Sequence, residues 1–311
     1  MPFFRSKRAN KPSADASPAS LPEEEVAASP SFEIRVIKSD VGCVRDLNED
    51  NAYWSKPDSE AQLAKKGVLV VVCDGMGGHA GGEIASKLAV ETIESYYYSA
   101  SAPTTEALKS ALEAANSAIF NKAKREPQLR GMGTTGTALV LRGGQAYCAH
   151  VGDSRLYLVR GGGIYQMSED HSAVMELVRR GLLRAEEARN HPQKNVVLRA
   201  VGTQPQVEVS VWDEPFPIRE GDRWLLCSDG LSDLVEDNEL CDTITRNAID
   251  VAGNSLIALA RQRGGHDNIT AAIVEVLPLQ RIGSETEATS EVTNEATKPA
   301  SAAVATREVD I

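Results

Sequence analysis

The sequence predicts an α+β fold built from antiparallel strands and paired helices. Between residues 137 and 167, four short strand-like runs are joined by glycine-containing turns of two or three residues. Turns this short allow only antiparallel hairpins, which excludes an all-parallel doubly wound sheet for that half of the chain. Earlier, helical patterns at about 83–98 and from residue 104 onward follow each other with no strand between them.

Length and composition indicate an acidic globular protein. The chain has 311 residues, 42% of them hydrophobic, which is enough for one large domain or two ordinary ones. Its net charge of −11 argues against nucleic acid or an anionic membrane as a general partner. No apolar run could span a bilayer, and no secretory signal follows the basic N-terminus. The five cysteines form no Cys-x-x-Cys pair. We therefore expect a cytoplasmic protein with free thiols and no membrane span.

One folded domain is expected between two tails. Residues 1–31 and 280–311 are rich in Ala, Ser, Glu and either Pro or Thr, and such segments bury too little apolar surface to fold. Both tails are predicted to be disordered, which leaves a domain over 32–279. Its first strand is expected at 32–38, where apolar and polar residues alternate.

The next segment concentrates polar side chains. Arg45, Asn48, Glu49 and Asp50 lie within six residues, just before the apolar residues 52–54. One interpretation is a polar hairpin with surface charges, and the other is an anion-binding arginine beside metal-facing carboxylates. On an alternating strand, Asn48 and Asp50 would share one face and Arg45 and Glu49 the other.

Residues 67–86 hold the most informative local pattern. The apolar run 68–72 predicts a buried strand, which ends at Asp74 and is followed by a glycine-rich turn and a helix. A charge at the end of a buried strand needs a partner. Gly75-x-Gly77-x-x-Ala80 also fits a relaxed dinucleotide-binding loop. A metal site, a dinucleotide loop and a plain turn all remain open here, although the two successive helices count against the dinucleotide.

The second half repeats the pattern of a strand next to a carboxylate. A strand is predicted at 207–211, and another at 224–227 ends at Asp229-Gly230 with Asp233 close behind. Helices are expected around 237–247 and 252–262, and Asp267-Asn268 precedes a strand at 269–276. Residues 170–206 lack a strand pattern and predict an excursion on the surface, either a structural insertion or a lid.

The carboxylates are best explained together. A single aspartate beside glycine or asparagine is usually a turn former, but four such strand-edge positions point to shared cations. These are Asp74, Asp153, Asp229 and Asp267, with Glu49, Asp50 and Asp233 nearby in the motifs. Ligand sets made only of oxygen select Mg²⁺ or Mn²⁺ over zinc, and two such ions activate water and bind a phosphoryl group. No serine or cysteine has a convincing nucleophile setting, so direct attack by a metal-bound hydroxide is inferred.

The chain, taken as a whole, resembles a known family. It is similar to the metal-dependent protein phosphatases (PPM, or type 2C), in their bacterial branch, over about 32–278. The resemblance rests on six motifs in the family's order: Arg45-x-x-Asn48-Glu49-Asp50, Asp74-Gly75-Met76-Gly77-Gly78-His79, Gly133-Thr134-Thr135, Gly152-Asp153-Ser154-Arg155, Ser228-Asp229-Gly230 and Asp267-Asn268. Any one motif is weak, whereas the ordered set is specific.

The resemblance implies a four-layer αββα sandwich, with two packed antiparallel sheets flanked by pairs of helices. It also implies two core Mn²⁺ or Mg²⁺ ions. Asp74 would bridge them, the Gly75 carbonyl would complete the first site, and Asp229 and Asp267 would hold the second. Glu49 would hold metal-bound water.

Further roles follow from the same resemblance. Arg45 would bind the substrate phosphate, Asp50 would support the metal shell and Asn268 would orient its neighbours. Asp153, with Asp229 and Asp233, would form a third metal site, and residues 171–205 would be the flap. Eukaryotic members carry a proposed general acid directly after Asp-Gly, but here Met76 occupies that place and His79 lies three residues on. His79 either protonates the leaving oxygen or only shapes the turn.

The implied activity is hydrolysis of phosphoserine and phosphothreonine in proteins, opposing a Ser/Thr kinase, by a protein expected to be a monomer. Two other hypotheses about function fit parts of the sequence. One is a dinucleotide-dependent oxidoreductase, based on Gly75-x-Gly77-x-x-Ala80. The other is a catalytically silent phosphopeptide-binding module of the same fold, against which the intact carboxylates argue.

Overall fold

The computed structural model describes residues 32–77, 81–189 and 191–277. The two predicted tails and His79 lie outside the described residues. Over the described ranges, no helix has the length and hydropathy that a bilayer crossing requires.

The strands form two main antiparallel sheets. Their bounds are β1 Phe32–Asp40, β2 Asn51–Ser55, β3 Val68–Cys73, β4 Gly75–Met76, β5 Gly133–Thr134, β6 Gly136–Arg142, β7 Gln145–Val151, β8 Arg155–Arg160, β9 Gly163–Gln166, β10 Ser210–Val211, β11 Phe216–Pro217, β12 Arg223–Cys227 and β13 Ile269–Val276. One sheet has the order β1-β13-β12-β8-β9, and the other has the order β10-β7-β6-β3-β2 with β11 also paired to β7. Strands β4 and β5 form a separate two-stranded ribbon.

The helices fall into two long pairs and several short pieces. They are α1 Glu60–Lys66, α2 Gly81–Ser99, α3 Thr104–Arg125, α4 Ala173–Arg179, α5 Ala185–Ala188, α6 Asp229–Ser232, α7 Asp237–Arg246 and α8 Ile249–Gln262. The two successive helices predicted from the sequence are α2 and α3, and α7 and α8 form the second pair.

Alternation along β3 shows how the layers are built. Its six residues are all buried, because successive side chains point to opposite faces and both faces are covered. Leu69 and Val71 pack among residues of α2 and α3, while Val70 and Val72 pack against the other sheet. On the far side, Leu225 of β12 packs with residues of α7 and α8. The result is the four-layer αββα sandwich, so the predicted fold class is confirmed.

One edge of the sandwich collects the ends of strands from both sheets. Strand β3 ends at Cys73, directly before Asp74, and β12 ends at Cys227, two residues before Asp229. The turn between β7 and β8 carries Asp153, and β13 begins just after Asp267. The sandwich therefore brings together carboxylates that lie far apart in the sequence.

Two local predictions are wrong. Residues 41–50 are turns and bends rather than an alternating strand. The side chain of Asn268 explains why: its Nδ2 donates to the carbonyl oxygens of Val41 (3.0 Å) and Leu47 (2.9 Å), and its Oδ1 accepts from the Glu49 N–H (2.8 Å). These bonds take the place of strand pairing. The strand predicted at 207–211 is also shorter, since only Ser210–Val211 pairs with β7.

Candidate functional site

A cleft of about 360 Å³ opens at the edge of the sandwich where these strands end. It brings together most of the residues singled out in the sequence. Its lining includes Arg45, Glu49, Asp74, Gly75, Asp153, Asp229 and Asp267, together with Met76, Gly77, Thr135, Asn195 and Val197. Asp233 lies in the adjoining cavity of about 390 Å³ beneath the flap, which shares Asp153, Asn195 and Asp229 with the cleft.

The backbone of Asp74 is held on both sides by the Gly133-Thr134-Thr135 segment. Its N–H donates to Thr135 Oγ1 (2.8 Å), and its carbonyl oxygen accepts from the Thr135 N–H (2.8 Å) and from Thr134 Oγ1 (2.8 Å). Thr135 Oγ1 is also hydrogen-bonded to Ser154 Oγ at 2.7 Å. The backbone of Asp74 is therefore fixed by Thr134 and Thr135, whose hydroxyl groups have no role that the sequence motif reveals.

Glu49 lies at the N-terminus of α2. Its Oε1 accepts from the Gly82 N–H at 3.1 Å, where a carboxylate also interacts favourably with the helix dipole. A Cβ atom at Gly82 would lie only 2.5 Å from that oxygen, and one at Gly75 only 2.4 Å from the Glu49 carbonyl oxygen. Both glycines are needed because the backbone and Glu49 approach so closely.

Asp50 lies behind the cleft rather than in it. Its side chain is fully buried, and its Oδ2 accepts from Ser228 Oγ at 2.7 Å, next to Asp229. Among the described residues, none donates a hydrogen bond to its buried Oδ1. This placement agrees with a supporting function for Asp50 and does not make it part of the cleft lining.

Arg45 and Asp267 face each other across the cleft. Arg45 Nη2 donates to Asp267 Oδ2 at 2.8 Å, with side chains 48% and 26% exposed. The sequence assigned one of them to phosphate and the other to a metal, and it did not predict that they pair. Asn268, next to Asp267, anchors the segment that carries Arg45 and Glu49 through the three hydrogen bonds described above.

The flap contacts the acidic side of the site. Lys194 Nζ donates to Asp233 Oδ2 at 2.5 Å, and Arg189 Nη2 donates to the carbonyl oxygens of Ser232 (2.8 Å) and Val235 (3.1 Å). Neither Lys194 nor Arg189 was singled out in the sequence, since a basic residue in a segment rich in arginine carries no recognisable signal.

Burial and mutual repulsion raise the pKa of the clustered carboxyl groups. The pKa rises to about 7 at Asp50, to about 8 at Asp153 and to about 6 at Asp229. That of Asp74 rises well above its usual range. Burial is the first cause in each case, and neighbouring carboxylates add to it. A cation placed among these groups would relieve both effects.

The donor set fits hard divalent cations. It contains carboxylate and carbonyl oxygens, with the unpartnered Asp50 Oδ1 directly behind them. No three of the described acidic, histidine or cysteine side chains form a closed ligand set around one point. The carboxylates nevertheless line one cleft, and each raises the pKa of its neighbours.

The residues between the first and last site motifs match a known family. The family model described as protein phosphatase 2C matches residues 47–259. The chain belongs to the protein phosphatase 2C family. Arg45, Asp267 and Asn268 lie outside the matched residues, so their place in the site rests on the geometry above.

Relatives in the phosphatase 2C family include curated bacterial proteins. The serine/threonine phosphatase stp of Listeria welshimeri is 37% identical over 245 residues, covering 76% of this chain and 94% of the relative. PstP of Mycobacterium tuberculosis is 38% identical over 243 residues, which cover 77% of this chain and 44% of PstP.

Solved structures of phosphatases agree with the fold. The M. tuberculosis phosphatase PstP/Ppp superposes with a TM-score of 0.70 at 36% identity, covering 78% of this chain and 98% of that one. A PstP catalytic domain in complex with two manganese ions superposes with a TM-score of 0.67 at 34% identity, covering 80% and 100%. The predicted family is thus confirmed, and the oxidoreductase hypothesis is set aside.

Proposed function

We propose that this protein is a metal-dependent phosphatase that hydrolyses phosphoserine and phosphothreonine in proteins. The observation that carries the proposal is the single cleft in which Glu49, Asp74, Asp229 and Asp267 face Arg45. Carboxylates that repel one another can bind divalent cations, and the guanidinium beside them can bind an anion. A phosphate monoester is a ligand that needs both.

Each cleft residue has a proposed role that follows from its chemistry. Asp74 and the Gly75 carbonyl would hold one Mn²⁺ or Mg²⁺, and Asp74, Asp229 and Asp267 would hold the second. When bound, these ions supply an activated water and neutralise phosphate charge. Arg45 binds the phosphate through charge-assisted hydrogen bonds once its contact with Asp267 is exchanged. Glu49, anchored on Gly82, accepts hydrogen bonds from water in the cleft.

A third cation is proposed on the acidic side of the site. Asp153 and Asp229 lie on the wall shared by the cleft and the cavity under the flap, and Asp233 lines that cavity. The raised pKa of Asp153, caused by burial and then by Asp229, supports a cation there.

The natural substrates of the protein are proposed to be phosphoproteins, including a Ser/Thr kinase and its targets. The protein is proposed to act as a monomer.

The decisive test replaces a cleft aspartate with its neutral isostere. Asp74→Asn and Asp229→Asn should each lower hydrolysis of p-nitrophenyl phosphate and of a phosphothreonine peptide by at least about 100-fold, because they remove charge that holds the ions. The matched control is Asp46→Asn, an exposed position next to Arg45, which should keep wild-type activity.

Each possible outcome discriminates between hypotheses. Full activity of both variants with Mn²⁺ present would refute the mechanism. A wild-type protein that binds the phosphopeptide with micromolar affinity, yet shows no turnover with Mn²⁺ and no change with EDTA, would instead identify a silent binding module.

A further inference from the structure

His171 lies where the flap leaves the sandwich, and it contacts the turn before Asp153 in two ways. Its backbone N–H donates to the carbonyl oxygen of Gly152 at 2.7 Å. Its side-chain Nδ1 accepts from the Gly152 N–H at 3.1 Å. One residue thus satisfies both polar groups of Gly152.

A second histidine contacts the same glycine from inside the sheet. His150 Nε2 lies 3.0 Å from the Gly152 carbonyl oxygen, and its ring centroid is 4.9 Å from that of His171. Because a carbonyl only accepts, His150 carries its proton on Nε2, and Nδ1 accepts from Thr137 Oγ1 at 3.0 Å.

The hydrogen-bond partners also define the tautomer of His171. Nδ1 accepts from Gly152, so the neutral ring carries its proton on Nε2, which donates to Ser210 Oγ at 2.9 Å. Burial and the adjacent His150 lower the pKa of His171 to about 3, which keeps the ring neutral at physiological pH.

The turn at Gly152, which these hydrogen bonds hold, has little conformational freedom. Gly152 has φ of +114°, and a Cβ atom there would lie 2.6 Å from the Thr135 side chain. The next residue is Asp153, which is buried and whose carboxylate lines both cavities. Rotation of the Gly152 peptide would therefore redirect the Asp153 side chain.

The same histidine is bonded to the far end of the flap. The Leu198 N–H donates to the His171 carbonyl oxygen at 2.7 Å, and Ser172 pairs with Val197 in an isolated antiparallel bridge. The two stems of the flap are thus joined to each other at the residue that holds the Asp153 turn.

We propose that His171 is a positioning residue that orients Asp153 toward the third cation through the Gly152 peptide. The inference rests on the third cation site of the proposed function. It assigns a specific task to the Nδ1 acceptor, distinct from the Nε2 contact with Ser210, so the two can be separated by substitution.

The test compares two amides that each mimic one ring nitrogen. In His171→Asn the amide oxygen takes the place of Nδ1, whereas in His171→Gln the amide extends to the place of Nε2. Mn²⁺ binding to metal-free protein is measured by isothermal titration calorimetry. His171→Gln should weaken the weakest Mn²⁺ event about 10-fold or more while leaving the two tight events unchanged. His171→Asn should restore affinity to within about threefold of wild type.

Two references complete the experiment. Asp153→Ala defines the titration in which the third event is lost and the core events remain, and Ser210→Ala should match wild type because it removes only the Nε2 contact. Equal third-site affinity in wild type, His171→Asn and His171→Gln would overturn the role of His171 alone. A wild-type titration with only two events would remove the third cation site, and with it the proposal.

A spectroscopic measurement tests the hydrogen bond itself. In wild-type protein, NMR should detect a nitrogen–nitrogen coupling between the Gly152 amide and His171 Nδ1, with the proton of the ring on Nε2. Detection of a protonated Nδ1 instead would contradict the proposal whatever the metal titration gives.

Discussion

At the scale of single residues, Arg45 holds the most exposed charge in the cleft. Its pairing with Asp267 is half-exposed to solvent, and such pairs contribute little to stability. A phosphate dianion offers the guanidinium more negative charge and two oxygens in a suitable geometry. Opening of the pair when substrate and cation arrive together would free Asp267 for the metal-binding role proposed above.

The exchange of Asp267 for phosphate as the partner of Arg45 predicts how substitutions of Arg45 affect activity. Arg45→Ala should lower kcat/KM for p-nitrophenyl phosphate about 10- to 100-fold, the equivalent of about 1.5–3 kcal/mol for a charged hydrogen bond. Arg45→Lys should recover only part of this, because the lysine ammonium lacks the planar pair of parallel donors that matches two phosphate oxygens. Steady-state kinetics and inhibition by inorganic phosphate measure both effects. Arg125→Ala, an exposed position at the end of α3, serves as the control. Unchanged phosphate inhibition in Arg45→Ala would assign the anion site elsewhere.

At the scale of elements, the flap is joined to the acidic side of the site by two basic side chains. Arg189 donates to the carbonyl groups of Ser232, the last residue of α6, and of Val235, and Lys194 pairs with the Asp233 carboxylate at 2.5 Å. The ammonium group thus provides the positive charge that a cation would bring to Asp233. The third cation proposed above would compete with the flap contact for the Asp233 carboxylate, so each should weaken the other by the same factor.

Lys194→Met should expose this competition. The variant should bind its weakest Mn²⁺ about threefold more tightly than wild type, in keeping with the energy of a partly exposed ion pair. In wild-type protein, the same Mn²⁺ concentrations should speed cleavage of the flap by trypsin. Isothermal titration and timed proteolysis measure the two sides of the linkage. Lys124→Met, on the exposed side of α3, is the matched control. An unchanged or weaker Mn²⁺ affinity in Lys194→Met would contradict the competition.

At the scale of the whole molecule, the sandwich concentrates negative charge at one edge. The folded state raises the pKa of Asp50 to about 7 and of Asp153 to about 8, from 3.8. The folded state therefore binds more protons than the unfolded state, and its stability falls as pH rises toward these values. Buried His150 and His171 act in the opposite sense, but only below their ordinary pKa of 6.5. From pH 6.5 to 8, the raised pKa values of Asp50 and Asp153 therefore make the stability of the folded state fall.

The melting temperature of metal-free protein should therefore fall between pH 6.5 and 8, by about 2–4 °C for each kcal/mol lost. Saturating Mn²⁺ should flatten this decline, because binding a cation requires the ionised carboxylates. Differential scanning calorimetry with and without Mn²⁺ measures the effect, and Asp153→Asn should reduce the slope in the absence of metal. Parallel declines with and without Mn²⁺ would be inconsistent with a cation site at this edge.

Local sequence patterns account for the secondary structure and for the chemical character of the site. Strand-length apolar runs, hairpin-length turns and consecutive amphipathic helices are local patterns, and they predicted the antiparallel sheets and helix pairs. A carboxylate beside glycine or asparagine at a predicted strand edge marks four positions, Asp74, Asp153, Asp229 and Asp267. These signals depend on a few neighbouring residues, so they can be recognised in one dimension.

Which groups meet depends on tertiary packing. Arg45 pairs with Asp267, 222 residues away, and Asn268 holds residues 41–50 out of the strand that alternation predicted. Asp50 proved to lie behind the cleft, and His171 was bonded to the turn that carries Asp153. Each of these contacts joins segments that are distant in the chain. Their geometry follows from the packing of two sheets, which no local pattern encodes.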